Sequence, residues 1–294
     1  MSDSEKSNDT SPPTLEGYLL RIGYQGDVAP TLECLRQLHL RHALTIPYEN
    51  LDFQLNRVIK VDIPSIFHKI VARRRGGVCH EVHRLFRWVL SEIGFESILV
   101  GAGVDRREQG DDAMGNHSLV LVRLDGEYHL ADLGLGDGIR EPIPLVEGAH
   151  RQGGLIFRLE RLDDGYWRYH NHQFALPASF DFREEAADEQ WIIERLHYFS
   201  TDKDSMFVQN LFCQIMSMES VLCLTGRFLL TKTLRGKTKT LISEDSFERI
   251  LADTFGLRHP EAMKIWPRVA ARHRLLFGDA DDEIVFQGFD EFGA

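Results

Sequence analysis

A cysteine, a histidine and an aspartate, so spaced that folding can bring them together, are the residues of this chain best able to do chemistry. Cys79 lies in the run RRRGGVCHEVHRLFRWVL (73–90), directly behind two glycines and a basic cluster. Counted from Cys79, the apolar residues Val82, Phe86, Val89, Leu90 and Ile93 recur at helical spacing. That spacing predicts an amphipathic helix with the thiol in its first turn, on the core face. There the positive end of the helix dipole favours thiolate over thiol. Gly76 and Gly77 would let backbone N–H groups approach a reacting carbonyl. A buried structural cysteine opening a core helix fits this segment, taken alone, equally well.

The downstream run NHSLVLVRLDGEYHLADLGLG (116–136) supplies the other two groups. Two alternating stretches flank Asp125-Gly126, the strongest short-range hairpin signal. With a two-residue turn, Leu124 faces Glu127 and Leu119 faces Asp132. His117 and Asp132 then project from one sheet face as diagonal neighbours, within reach of a hydrogen bond. A carboxylate on one imidazole nitrogen leaves the other free to take a thiol proton. Cys79, His80 and His83 raise the question of a metal. With no second Cys/His pair at suitable spacing, none is expected.

The chain must carry these groups on a folded scaffold. Its 294 residues can bury a sizeable core, and 43% hydrophobic with 27% charged residues is ordinary for a soluble globular protein. The net charge of −11 argues against nucleic acid and against anionic membranes as partners. No apolar run approaches a membrane span, and the polar start MSDSEKSNDTSPPT has no signal-type core. Cys34, Cys213 and Cys223 sit in apolar surroundings without close pairing, as core filler in a reducing, cytoplasmic compartment. The basic run LRGKTKT (234–240) reads as a solvated hairpin, and YHNHQF (169–174) as two hydrogen-bonded or solvated histidines on one strand face.

The expected fold class is multidomain α+β. Residues 1–14 read as a disordered tail. Residues 15–95 read as a helical domain carrying the nucleophile: LEGYLLRIGY, TLECLRQLHLRHALTI closed by Pro47, IPSIFHKIVARR, and the Cys79 helix ending at Gly94. Residues 96–195 read as a β-barrel domain with a linking helix, built from SILVGAGV, the 117–132 hairpin, LIFRLERL, GYWRYHNHQFAL and a helical DFREEAADEQWIIERLHYF. Residues 196–294 read as an α/β lid, with strands in SVLCLTGRFLLTKTLRGKTKTLIS turning around Arg235-Gly236, a helical stretch from Glu244, and a solvated acidic segment GDADDE.

RGGVCHEVHRLF, IPYENLD (46–52), NHSLVLV and LADLGLG, in this order, resemble the arylamine N-acetyltransferase family over about residues 15–230. LLRIGY, PTLECLRQLH, YFSTDKDSMFVQN and LTGRFLL extend the likeness. The resemblance implies a helical domain, a β-barrel and an α/β lid around a cysteine-protease-like Cys-His-Asp core. It implies Cys79 as the acetylated nucleophile, His117 as its base and Asp132 as the orienting carboxylate. It further implies an Arg75–Glu49 ion pair beside the site, an acceptor pocket at Leu135, Asp137 and Ile139, and coenzyme A contacts at Gly134, Gly136 and Phe207. The chain departs from the family pattern at three places: His83 where Asn is usual, Leu135 where an aromatic is usual, and Lys203 in STDKDS where proline is usual.

The activity so implied is ping-pong acetyl transfer from acetyl-CoA, a substrate rather than a tightly bound cofactor, to an aromatic amine or hydrazine. Three other readings stay open from the residues: a transglutaminase-like cysteine hydrolase, an amide synthase acting on a biosynthetic intermediate, and a binding module with a vestigial triad. Oligomeric state and the physiological amine are not legible in the chain.

Overall fold

The computed structural model describes residues 12–278. The N-terminal part comprises α1 (Leu15–Ile22), α2 (Leu32–Thr45), a two-residue strand β1 (Tyr48–Glu49), α3 (Leu51–Gln54), α4 (Ile63–Phe67, continued by a π turn His68–Ala72) and α5 (Cys79–Ile93). Local chemistry sets the ends. Thr14 Oγ1 accepts the Gly17 N–H at 3.1 Å to open α1. Gly94, at φ 99°, closes α5 in the left-handed conformation that a side chain would strain. The Glu81 carboxylate folds back to accept the Val78 N–H at 3.1 Å, occupying a donor at the start of α5. The apolar face of α5 (Val82, Leu85, Phe86, Val89, Leu90) packs against Tyr18, Leu35 and Leu38 on one side and Leu99, Val120 and Val122 on the other. The helix that presents Cys79 is thereby wedged between the helical part and the large sheet. Truncating Phe86 to Ala would cost about 3–5 kcal/mol.

The central part is an antiparallel sheet of β2 (Glu96–Val104), β3 (His117–Leu124), β4 (Glu127–Ala131), β5 (Ile143–Pro144), β6 (Gly148–Gln152), β7 (Leu155–Arg161), β8 (Trp167–His170) and β9 (Ser179–Phe182), in the order β5-β4-β3-β2-β9-β8-β7-β6. It curls into a nearly closed barrel. Gln152 of β6 ties the far edges together: its Oε1 accepts the Arg140 N–H at 2.7 Å and its Nε2 donates to Glu141 O at 2.6 Å, just ahead of β5. Val100, Leu119, Leu121, Phe157, Tyr169, Phe180 and Phe182 fill the interior. A short helix α6 (Arg106–Gln109) and a 3₁₀ turn (Gly110–Ala113) connect β2 to β3. Helix α7 (Glu189–Thr201) leads out of the barrel to α8 (Met206–Gln209).

The last part is a second antiparallel sheet. Strands β10 (Phe212–Met216), β11 (Ser220–Thr225), β12 (Phe228–Thr233) and β13 (Gly236–Leu241) join β1 in the order β1-β10-β11-β12-β13. Helices α9 (Glu244–Phe255) and α10 (Trp266–Phe277), with a 3₁₀ turn (Ala262–Ile265) between them, follow in sequence, and both bury residues with β10 and β11 in a core of Leu211, Cys213, Leu224, Phe247, Leu251, Phe255 and Val269.

Several expectations shift. Residues 1–11 of the N-terminal tail, and GDADDE beyond Gly278, lie outside the described residues. The helix expected over DFREEAADEQWIIERLHYF begins only at Glu189, because Phe180 and Phe182 alternate into the barrel core as part of β9. It then runs to Thr201, past position 195. The segment read as helical contributes β1, whose Tyr48 pairs with Gln214, so the N-terminal part is stitched into the last sheet. The β12–β13 turn comprises Leu234 and Arg235, one residue earlier than read, since Thr233 pairs with Gly236.

Candidate active site

The β3–β4 hairpin has the register read from Asp125-Gly126: Leu124 pairs with Glu127 and Val120 with Ala131. His117 opens β3 and Asp132 directly follows β4. His117 Nε2 lies 3.1 Å from Asp132 Oδ2, while Oδ1 accepts the Gly134 N–H at 2.8 Å. Cys79 is the first residue of α5 and is only 4% exposed, with Sγ 4.0 Å from Asn116 O, the residue preceding His117. Helix, strand start and post-strand loop thus converge on one point.

Electrostatics follow from this packing. Burial pushes the Cys79 thiol up, but His80 and His117 beside it outweigh burial and hold it well below the ordinary thiol range. Burial pulls His117 down, yet Asp132 and then Cys79 raise it to about 10. Burial likewise raises Asp132, and His117 overrides that to keep the carboxyl below the usual carboxylate range. These opposed shifts favour a thiolate–imidazolium pair beside a carboxylate, a combination capable of nucleophilic attack and proton return.

A network of buried charges braces the loop before Cys79. Arg75 Nη2 donates to Glu49 Oε1 at 2.7 Å and its Nη1 to Asp52 Oδ1 at 2.7 Å. Lys69 Nζ bridges Asp52 Oδ2 at 2.8 Å and Glu81 Oε1 at 2.8 Å, and Glu81 in turn holds the Val78 N–H. The Arg75–Glu49 pair was expected; Asp52, Lys69 and Glu81 were not, although Asp52 closes the IPYENLD run. Gly76 and Gly77 also have a packing reason to be small. A Cβ on Gly76 would fall 1.8 Å from Pro47 O, and one on Gly77 3.0 Å from Glu81 Oε2, so both are small to let the loop lie against Pro47 and α5.

The expected pocket and coenzyme A positions scatter. Leu135 and Ile139 are packed into the barrel core. Asp137 is fully buried in an ion pair with Lys232 Nζ at 2.8 Å, and its Oδ1 accepts from His172 Nε2 at 2.9 Å. It borders a cavity of about 710 Å³ between barrel and last sheet, lined also by Arg140, Leu155, Phe174 and Leu234. Gly134 packs on Cys79, where a Cβ would fall 2.6 Å from the Cys79 Cβ, and Gly136 is shut by Gln214, 2.2 Å from such a Cβ. Phe207 does line a small pocket with Cys79, together with Tyr48, Phe53, His80, Asn116 and Phe199.

Sequence reasoning missed the contacts that His80 and Ser118 make beside Cys79 and His117. His80 Nδ1 lies 3.1 Å from Ser118 Oγ, which lies 3.4 Å from His83 Nδ1. The signal was available in the adjacency of His80 to Cys79 and of Ser118 to His117. Cys34, Cys213 and Cys223 are all buried free thiols, with Cys213 pushed well up by burial and so kept neutral. Among the described residues no helix is long and apolar enough to cross a membrane.

A family model described as N-acetyltransferase matches residues 31–263. Human arylamine N-acetyltransferase 1 is 27% identical over 272 residues, covering 83% of this chain and 93% of its own. The Escherichia coli arylamine N-acetyltransferase is 37% identical over 164 residues, covering 55% of this chain and 58% of its own. Among solved structures, the Mycobacterium abscessus arylamine N-acetyltransferase superposes with a TM-score of 0.80 at 27% identity, covering 88% of this chain and 95% of its own. The Mycobacterium marinum enzyme in complex with CoA does so with a TM-score of 0.76 at 26% identity, covering 88% and 98%.

Proposed function

The chain belongs to the arylamine N-acetyltransferase family, and on that premise we propose that it transfers an acetyl group from acetyl-CoA to an aromatic amine or hydrazine through an acetyl-Cys79 intermediate. The observation that carries this reading is the His117–Asp132 contact of 3.1 Å beside a thiol whose pKa its neighbours lower. The Cys79 thiolate attacks the thioester carbonyl, and the tetrahedral adduct expels the coenzyme A thiolate, which takes the His117 proton. An amine then attacks the acetyl carbon, and neutral His117 accepts a proton from the amine nitrogen as Cys79 leaves. Asp132 keeps the imidazole oriented and stabilises its charged form. Exchange of one thioester for another is nearly thermoneutral, so the first step needs little driving force. The reading places the active centre where a helical unit, the barrel and the last sheet meet, beside the aromatic side chains of Tyr48, Phe53, Phe199 and Phe207. Of the three positions expected to touch coenzyme A, Phe207 lies on this pocket.

Intact-mass measurement after mixing with acetyl-CoA alone tests the reading. It predicts one added acetyl group on Cys79, discharged by an added aniline with formation of the anilide. Steady release of acetate without an amine would instead assign a hydrolase, and no adduct at all would overturn the reading.

A further inference from the structure

Immediately after the nucleophile stands a second imidazole that the Cys-His-Asp chemistry does not use. His80 is 2% exposed and lines the same pocket as Cys79. Its Nε2 is buried without a hydrogen-bond partner among the described residues. Leaving such a group unpaired costs about 1–3 kcal/mol. An orphaned ring nitrogen in the wall of a reaction pocket points to a partner that arrives with the substrate.

The surrounding bonds decide which proton that nitrogen carries. His83 Nε2 takes the main-chain N–H of Leu133 at 2.8 Å. A backbone amide can only donate, so this Nε2 is the acceptor, and neutral His83 bears its proton on Nδ1. Its 3.2 Å approach to Asp132 Oδ1 is then a contact with no proton of His83 between them. Nδ1–H of His83 donates to Ser118 Oγ at 3.4 Å, leaving the hydroxyl proton for His80 Nδ1 at 3.1 Å. His80 Nδ1 thus accepts, and Nε2 carries the hydrogen.

We propose that His80 is a catalytic hydrogen-bond donor whose Nε2–H receives the acyl oxygen when Cys79 attacks a thioester, its tautomer set by the Leu133–His83–Ser118 chain. As the Cys79 sulfur bonds to the carbonyl carbon, the carbonyl π pair moves onto oxygen, and His80 holds the resulting oxyanion. When the pair returns, the coenzyme A sulfur leaves and takes the His117 proton, and His80 keeps its own proton throughout. The inference rests on the acyl-transfer reading of the site.

Two reactions at Cys79 separate this role from a structural one. Acylation by acetyl-CoA or p-nitrophenyl acetate passes through an oxyanion; alkylation by iodoacetamide does not. For His80→Leu the burst rate of acylation should fall about 10²-fold, the usual loss for one oxyanion donor, while alkylation falls by a much smaller factor. His80→Gln, which retains an N–H donor, should recover part of the acylation rate. Ser118→Ala, which leaves the ring in place but frees its tautomer, should lose an intermediate amount. Parallel losses in both reactions, or no loss of acylation in soluble His80→Leu protein, would overturn the proposal. Wild-type protein acylated by p-nitrophenyl acetate but not by acetyl-CoA would refute acetyl-CoA as the acyl source while leaving the test of His80 intact.

Discussion

At the scale of single residues, the opposed shifts of Cys79 and His117 set the pH response of the site. A free cysteine ionises near pH 8.5, so its alkylation rate rises roughly 80-fold from pH 6 to 8. Cys79 is held well below that range, so a larger share of it is thiolate on the acid side than in a free cysteine. Its alkylation by iodoacetamide should therefore rise far less steeply over the same interval than that of a free cysteine. Acyl transfer should fall on the acid side as the thiolate is protonated. It should fall again on the alkaline side as His117, raised to about 10, loses the proton it returns to the leaving group. A free-cysteine profile for Cys79 would contradict the pairing. The carboxylate is tested separately. Asp132→Asn preserves shape but offers the imidazole the wrong partner, so kcat/KM should drop by about 10³–10⁴ with the far-ultraviolet circular dichroism spectrum unchanged.

At the scale of elements, the hairpin does the positioning. Because side chains alternate along a strand, a one-residue slip moves every group to the opposite face. Deleting Gly126, which has φ 87° in the turn, should therefore separate His117 from Asp132 and silence the acetyl-CoA burst as completely as Asp132→Asn. A retained burst would mean that the register is set elsewhere. In the loop after β4, residues adjacent in sequence enter different surroundings. Leu135 follows Asp132 closely in sequence, yet its side chain belongs to the barrel core. Leu135→Phe should therefore destabilise the protein by about 1–3 kcal/mol through overpacking, with the acceptor profile across anilines and hydrazines unchanged. Altered selectivity without a stability loss would return Leu135 to the pocket wall.

At the scale of the molecule, the last sheet is held to the barrel and to the N-terminal part by a few specific links. β1 pairs with β10, and Lys232 of β12 reaches the fully buried Asp137 at 2.8 Å. Removing one partner of a buried pair strands the other charge, so Lys232→Ala should cost about 3–5 kcal/mol in urea unfolding. Lys203→Ala, at an exposed position, should stay within about 0.5 kcal/mol of the parent. Burial raises Asp137, but His172 and Lys232 outweigh it and hold the carboxyl below its ordinary value. The unfolded chain ionises this group near pH 3.9. Its stabilising contribution is therefore complete above that pH and is lost as pH falls through the lower folded value. An equal acid response in Lys232→Ala would show that the pair does not carry it.

What could be read from the chain alone was local in origin. The α5 spacing, the Gly94 cap and the Asp125-Gly126 turn each arise within a few residues, and their geometry is set by backbone conformation and side-chain periodicity. They were enough to bring His117 onto Asp132 and to place Cys79 at a helix start. The Arg75–Glu49 pair came from resemblance rather than from spacing. Tertiary structure decided everything that depended on which surfaces meet. It turned Leu135 and Ile139 into the barrel, closed Gly134 and Gly136 against Cys79 and Gln214, and paired Asp137 with a lysine 95 positions away. It also aligned Leu133, His83, Ser118 and His80 into one directed chain of hydrogen bonds. Periodicity says which face of an element is buried, but not what is buried against it. Contacts distant in sequence carry no local signature, because their free energy is gained only after the separate elements have packed.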